Sequence, residues 1–86
     1  KDSGTLIKQI AKDEYLVSAL TPIETFNEKF DSNLSDKDFD TVGGIVMHHF
    51  ARFPKPNDAI NIDNLRFVIN SIERRRIKRI KVSKIS

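Results

Sequence analysis

The chain has no cysteine and no tryptophan, and only three glycines and three prolines among its 86 residues. Without cysteine there is no disulfide framework, no thiolate nucleophile and no thiolate metal ligand. No apolar run approaches the roughly 18 to 20 residues needed to cross a bilayer, and the N-terminus lacks the basic-then-apolar pattern of a secretory signal. These absences exclude a disulfide-stabilised fold and cysteine-based catalysis.

Catalytic motifs are missing as well. The sequence contains no P-loop, no G-x-G-x-x-G and no G-x-S-x-G nucleophile elbow, and nothing in the spacing of its acids suggests paired carboxylates in a pocket. Hydrophobic residues make up 38% and charged residues 31%, a balance typical of a folded globular domain. We therefore expect one non-catalytic binding or regulatory domain, because this length closes a single modest core.

Charge is divided unevenly along the chain. Residues 1–65 carry 7 basic and 11 acidic side chains, a net of −4, whereas residues 66–86 carry 8 basic side chains against one acid, a net of +7. The two parts sum to the overall +3. The positive charge is thus concentrated at one end, which suggests an anionic partner there.

Hydrophobic spacing predicts a ββ-α-α-βββ order. Residues 1–4 are expected to be a leader and residues 5–86 a single domain, and because the chain begins at Lys1 we expect it to be a fragment of a longer protein. Leu6, Ile7 and Ile10, then residues 15–17, predict two short strands around a polar turn. Alternating apolar residues in 60–69, with Asp63-Asn64 as a two-residue turn, and in 77–82 predict the last strands.

Two helices are predicted between these strands. Thr21-Pro22-Ile23-Glu24 resembles a capping box, with the Thr21 hydroxyl accepting the Glu24 N–H, and it opens a helix over about 22–30. Residues 35–38 suggest a weaker cap and a single helical turn. Asp40 is predicted to cap a second helix by accepting the Gly43 N–H. The apolar stripe of that helix is Val42, Ile45, Val46, His49, Phe50 and Phe53.

Several of these segments resemble a known family. The motifs are Thr21-Pro22-Ile23-Glu24 with Phe26 and Phe30, then residues 34–44 ending in Val42-Gly43-Gly44, then Phe53-Pro54-x-Pro56, and last the basic stretch 74–82. Together and in this order they resemble the transporter-associated domain of CorC/HlyC proteins. The chain departs from the family at Ala51 and Asn57, where many members carry glycine.

The resemblance implies an α+β fold in which two central helices pack on an antiparallel sheet, related to part of the FAD-binding domain of the p-cresol methylhydroxylase (PCMH) type. It also implies a C-terminal module that follows a pair of CBS domains, at the cytoplasmic face of the cell membrane. Proteins of this family are described as hemolysin-like or as magnesium and cobalt efflux proteins. Expected partners are the CBS pair and membrane domain of the parent chain, a second copy in a homodimer, or an anionic lipid surface.

Two other sets of residues suggest ligand sites. Gly43 and Gly44, with Asp40, lie at a helix start, where free N–H groups bind anions, but small residues there also allow close packing against a strand. His48 and His49 project about 100° apart on a regular helix, so they are poorly placed to chelate one ion. We expect His49 to be half-buried with a backbone partner.

The acids Asp36, Asp38 and Asp40 are candidate ligands for a hard cation. The EF-hand pattern, with its glycine and bidentate glutamate, is missing, and helix capping accounts for these acids more simply. No resident cofactor is expected, and FAD is suggested only by the fold relationship.

The most unusual feature is the basic run that ends the chain. Its cationic residues are predicted to contact a partner or an anion: Arg74, Arg75, Arg76, Lys78, Arg79 and Lys81. The charges could also form a solvated strand face, or protect an edge strand from aggregation. Docking to an acidic surface, attraction to lipid headgroups and nucleic-acid binding all remain open as well. The run has no interleaved aromatic residue after Phe67, which disfavours nucleic acid. The leading hypothesis is a docking module that modulates ion transport, with nucleotide binding and nucleic-acid binding as the alternatives.

Overall fold

The element order of the domain agrees with the one predicted from the sequence. A computed structural model describes residues 6–35 and 37–85, so the expected leader lies outside the described residues. The elements are β1 (Ile7–Ala11), β2 (Glu14–Ser18), α1 (Ile23–Phe30), α2 (Val42–His49), β3 (Ala59–Ile62), β4 (Leu65–Glu73) and β5 (Arg76–Lys84). The predicted ββ-α-α-βββ arrangement is confirmed.

All five strands form one antiparallel sheet in the order β1-β2-β5-β4-β3. The final strand, β5, occupies the centre and pairs with β2 on one side and β4 on the other. The predicted Asp63-Asn64 turn connects β3 to β4, where Ile62 lies opposite Leu65. This topology joins the two ends of the sequence in one sheet.

Both helices pack on the same face of the sheet and form one core with it. Strand alternation directs Phe67 of β4 and Ile80 of β5 to this face, where both are fully buried. Phe26 of α1 stacks on Phe30, with ring centroids 4.3 Å apart, and lies 5.7 Å from the Phe67 ring. The described residues place no helix on the opposite face of the sheet. The domain is therefore a two-layer α+β fold in which no described helix covers the second face of the sheet.

The predicted capping box at Thr21 is wrong. Pro22 is the N-cap of α1, in extended conformation, and no side chain caps this end. The Thr21 side chain is fully buried, and its backbone carbonyl accepts the Val42 N–H at 2.9 Å. In turn the Asp40 carbonyl accepts the Ile23 N–H at 3.1 Å. The starts of the two helices are thus bridged by backbone hydrogen bonds, which take the place of the side-chain cap.

The prediction that Asp40 caps α2 is also wrong. Thr41 is the N-cap, and its hydroxyl accepts the Gly44 N–H at 3.3 Å. The Gly43 N–H, which was assigned to Asp40, donates to the carbonyl of Ala19 at 2.9 Å. Helix α2 therefore begins one residue later than the pattern of acids indicated, because the backbone of the β2–α1 connection supplies the competing acceptor.

The apolar stripe of α2 is shorter than predicted. Val42, Ile45 and Val46 are buried, but the helix ends at His49, and Phe50 already has extended backbone angles. Phe53 therefore leaves the helical register and is 44% exposed. The single helical turn predicted at 35–38 is absent from its described residues, which are Ser35, Lys37 and Asp38.

Candidate functional site

The basic run is not one continuous strand. Arg74 and Arg75 form the two-residue turn between β4 and β5, and both have positive φ, 54° and 64°. Glu73 and Arg76 pair directly across this turn. Positive φ at both central residues is the mark of a type I′ hairpin turn. This turn was not predicted, because such turns normally contain asparagine, aspartate or glycine.

Beyond the turn, β5 separates apolar from basic residues. Ile77, Ile80 and Val82 belong to the hydrophobic core, whereas Lys78 and Arg79 are both exposed. Two residues rather than one separate Ile77 from Ile80, and the pairing of β4 with β5 is irregular in this region, around Ser71. A bulge of this kind bends a strand and increases its twist.

A broad groove lies where the hairpin, β2 and the start of β1 meet. It has a volume of about 1550 Å³. Its cationic lining residues are Lys8, Arg74, Arg76, Lys78 and Arg79. Apolar residues lie among them, namely Leu6, Leu16, Leu20 and Ile77. We refer to these lining residues as the basic groove.

The basic groove has a strong excess of positive charge. Five cationic side chains line it against one acid, Glu73, a net of +4. The Lys78 Nζ lies 3.3 Å from Glu73 Oε1, and both side chains are about half exposed. Within the described ranges, no other groove cation has an acid within ion-pair distance. Among the described residues the groove is therefore a surface with excess positive charge, suited to an anionic partner.

Four of the six predicted contact residues line this groove, and two do not. Arg74, Arg76, Lys78 and Arg79 belong to it, whereas Arg75 and Lys81 are not among the lining residues. Lys81 instead borders a small depression with Asn57 and Val68.

Sequence reasoning missed Lys8 and Leu20. Lys8 belongs to β1, and Leu20, in the turn after β2, is 75% exposed. Neither lies near the basic run in sequence, and no local pattern assigns them to it. They reach the groove only because β2 pairs with β5.

The start of α2 is a packing contact. A Cβ added to Gly43 would lie 2.7 Å from the Ala19 Cβ and 2.9 Å from the Ala19 carbonyl oxygen. The N–H groups of Val42, Gly43, Gly44 and Ile45 all donate to acceptors of the chain itself, at 2.9 to 3.3 Å. This helix start therefore presents no free backbone donors in its first turn to a phosphate or another anion.

The acids and histidines are scattered. In residues 6–35 and 37–85, no three His, Cys, Asp or Glu side chains lie close enough together to hold a metal ion. Asp38 and Asp40 belong to this part of the chain, while Asp36 lies outside the described residues. His49 has the predicted backbone partner, since its Nδ1 lies 2.9 Å from the Ile45 carbonyl, but the side chain is exposed rather than half-buried. The fully buried residues of α2 end at Val46, and Met47 and Phe50 are only partly buried against the core.

Neither helix in the described part of the chain is long and apolar enough to span a membrane.

Comparison with known proteins gives a consistent result. The CorC_HlyC family model, described as a transporter associated domain, matches residues 8–86. The magnesium and cobalt efflux protein CorC of Buchnera aphidicola (from Acyrthosiphon pisum) is 41% identical over 95% of this chain, and that of Pasteurella multocida is 38% identical over 90%. The matched region is only 28% and 26% of those proteins, so the chain spans about a quarter of the length of the curated relatives it matches.

A solved structure shows the same fold. A hemolysin domain from Enterococcus faecalis superposes with a TM-score of 0.88 at 26% identity, covering 95% of this chain and all of that chain. The chain of that crystal structure therefore corresponds in extent to this one.

Proposed function

Because the chain belongs to the CorC/HlyC transporter-associated domain family, we propose that it is a non-catalytic docking module that regulates ion transport by a longer CorC-type protein. In that setting the domain lies at the cytoplasmic face of the membrane, beside the CBS pair of its own chain or against a second copy. The curated relatives are named magnesium and cobalt efflux proteins, so Mg²⁺ and Co²⁺ are the ions to test.

The basic groove is the observation that carries this proposal. Five cationic side chains line it together with the exposed Leu20 and the partly buried Leu6 and Leu16, on a sheet face that the described helices leave uncovered. A regulatory domain needs a surface whose contacts differ between two states of its parent. Cationic groups around an apolar centre provide such a surface, because charge gives the orientation and apolar burial gives the affinity.

Charge reversal in the full-length protein tests whether the basic groove regulates ion transport. The variant Arg76→Glu/Arg79→Glu changes two groove residues, and the matched control Lys12→Glu/Lys55→Glu makes the same change of net charge at exposed positions outside the groove. We expect the groove variant to alter Co²⁺ and Mg²⁺ efflux from loaded cells by about fivefold or more, a typical size for coupling between sites. The control should leave efflux unchanged.

Efflux is compared at equal amounts of protein in the membrane, measured by immunoblot. Equal efflux from the wild type and the groove variant would refute a regulatory role for this surface.

The nucleotide and nucleic-acid alternatives find less support in the geometry. The N–H groups at the start of α2 are all used within the domain, so they do not fit a bound pyrophosphate of FAD. Among the described residues that line the basic groove there is no aromatic side chain on which a base would stack.

A further inference from the structure

The shape of the basic groove limits what it can bind. Its volume of about 1550 Å³ exceeds the roughly 300 to 1,000 Å³ of typical small-molecule pockets. A cylinder of helix diameter, about 10 Å, with this volume is roughly 20 Å long, or about 13 residues. The described part of the domain measures 31 × 28 × 26 Å, so a helix of that length lies within one of its faces. The groove is therefore large enough for a short helical segment.

The sheet face also favours a helix over an extended segment. Beneath the groove, β2 and β4 are each hydrogen-bonded to β5, so most of their backbone groups are already paired, with an irregularity at Ser71. A partner on this face meets side chains only, and an extended peptide would cover its own unpaired backbone groups. A helix satisfies those groups internally, and helices are the usual cover of an open sheet face.

Side-chain chemistry specifies the surface of that helix. The cationic excess of the groove calls for acidic residues, and Lys8 lies directly opposite Leu16 in the β1–β2 pairing, so charge and apolar surface are adjacent. Leu20 is 75% exposed at the border of the groove. An apolar stripe flanked by acids would bury these leucines and neutralise the arginines and lysines at the same time.

We propose that the basic groove docks an acidic amphipathic helix of a polypeptide partner, an inference that names the partner of the docking role proposed above. A flat lipid bilayer fits the groove less well, because it would contact the rim and leave the concave floor in water. About three quarters of the length of the curated relatives lies outside the matched region, which leaves room for such a helix in the parent chain itself.

Binding of a synthetic helix to the isolated domain tests the inference. The probe is a fluorescein-labelled amphipathic peptide of about 14 residues, with leucines on one face and glutamates flanking them. Two counterparts carry glutamine or lysine in place of every glutamate. We expect the glutamate peptide to bind, with an affinity that falls as salt increases. The glutamine peptide should bind at least about tenfold more weakly, and the lysine peptide should not bind.

Domain variants locate the site. Arg76→Glu/Arg79→Glu should weaken binding of the glutamate peptide at least about tenfold, and Lys12→Glu/Lys55→Glu should stay within about twofold. Amide shifts in ¹H–¹⁵N spectra should concentrate at Lys8, Leu16 and Arg79. Should the charge-reversed domain fail to fold, as judged by circular dichroism, Arg76→Gln/Arg79→Gln replaces it with the same expected direction.

Several results would overturn the inference. They are equal binding of the glutamate and glutamine peptides, equal losses in both double variants, shifts confined to the helices, and no binding up to about millimolar peptide. Groove-dependent binding of phosphatidylserine vesicles without peptide binding would assign the surface to lipid instead. If efflux responds to the groove variant while the peptide does not bind, the docking role stands and the acidic helix is refuted. If the peptide binds the groove and efflux does not change in the groove variant, the acidic helix stands and the regulatory role is refuted.

Discussion

At the scale of single residues, Arg74 and Arg75 occupy positions for which their side chains are poorly suited. Both have positive φ, a conformation that costs a non-glycine residue about 1 kcal/mol or more. Asparagine followed by glycine is the favoured pair in this turn. Placing two arginines there also sets like charges side by side at the end of the basic groove. We infer that the two arginines lower the stability of the domain and add positive charge to its surface.

We therefore expect Arg74→Asn/Arg75→Gly to stabilise the domain by about 1 to 2 kcal/mol, because the turn strain is relieved. The midpoint of urea unfolding measures the change, and the acidic helix should bind less tightly to the same variant. Arg74→Val/Arg75→Val is the comparison, since β-branched residues resist positive φ, and it should be less stable than the wild type. A lower midpoint for the Asn-Gly variant would contradict this account.

Two threonines at the helix starts make opposite contributions. The Thr21 hydroxyl is buried without a hydrogen-bond partner in the described part of the chain, whereas the Thr41 hydroxyl caps α2. Burying an unpaired hydroxyl costs free energy, so Thr21→Val should be neutral or stabilising by up to about 1 kcal/mol. Thr41→Val should destabilise by about 1 kcal/mol. Chemical denaturation measures the free energy of unfolding of both variants. A Thr41→Val variant more stable than Thr21→Val would contradict this prediction.

At the scale of the elements, the position of α2 depends on close approach to the segment after β2. Gly43 faces the Ala19 backbone carbonyl, which cannot move aside, whereas a Cβ on Gly44 would meet the Phe39 side chain at 3.3 Å. The same glycine-to-alanine change therefore has different consequences at two adjacent positions of one helix.

Gly43→Ala should destabilise the domain by about 1 to 3 kcal/mol through overpacking, despite the better helix propensity of alanine. Gly44→Ala should lie between neutral and about 1 kcal/mol more stable, because the Phe39 ring is able to shift. Thermal unfolding followed by circular dichroism compares the two. Equal melting temperatures would show that the segment around Ala19 shifts to accommodate the added methyl group without loss of stability.

The predicted elements were accurate where one local signal decided them. Alternation defined β3 and β4, and the spacing of Ile23, Phe26 and Phe30 defined the buried face of α1. The caps were mispredicted because several neighbouring residues offered suitable oxygens. The actual acceptor was fixed by backbone hydrogen bonds between segments about twenty residues apart.

At the scale of the whole molecule, one core supports the domain. Phe67 is fully buried at its centre, beside Phe26. An 86-residue domain typically has a total stability near the low end of about 5 to 15 kcal/mol. A single large cavity is therefore enough to threaten the entire fold.

Phe67→Ala should cost about 3 to 5 kcal/mol and leave the domain largely unfolded at physiological temperature. Phe53, at 44% exposed, is the matched control, and Phe53→Ala should cost about 1 kcal/mol or less. Amide dispersion in ¹H–¹⁵N spectra distinguishes the outcomes. A well-dispersed spectrum for Phe67→Ala at 37 °C would show that the fold does not depend on the packing of Phe67.

The sequence by itself determined the order of the elements, the apolar faces that meet in the core, the absence of cysteine chemistry and the concentration of positive charge in residues 66–86. These are local properties, since periodicity, turn residues and composition act over a few positions along the chain. The tertiary structure alone decided that Arg74 and Arg75 turn a hairpin and that Thr41 caps α2. It also decided that Lys8 and Leu20 join the basic groove. The cap was decided by backbone hydrogen bonds between segments about twenty residues apart, and the groove by the pairing of β5 with β2 across some sixty residues. Contacts over such distances leave no local pattern in the sequence.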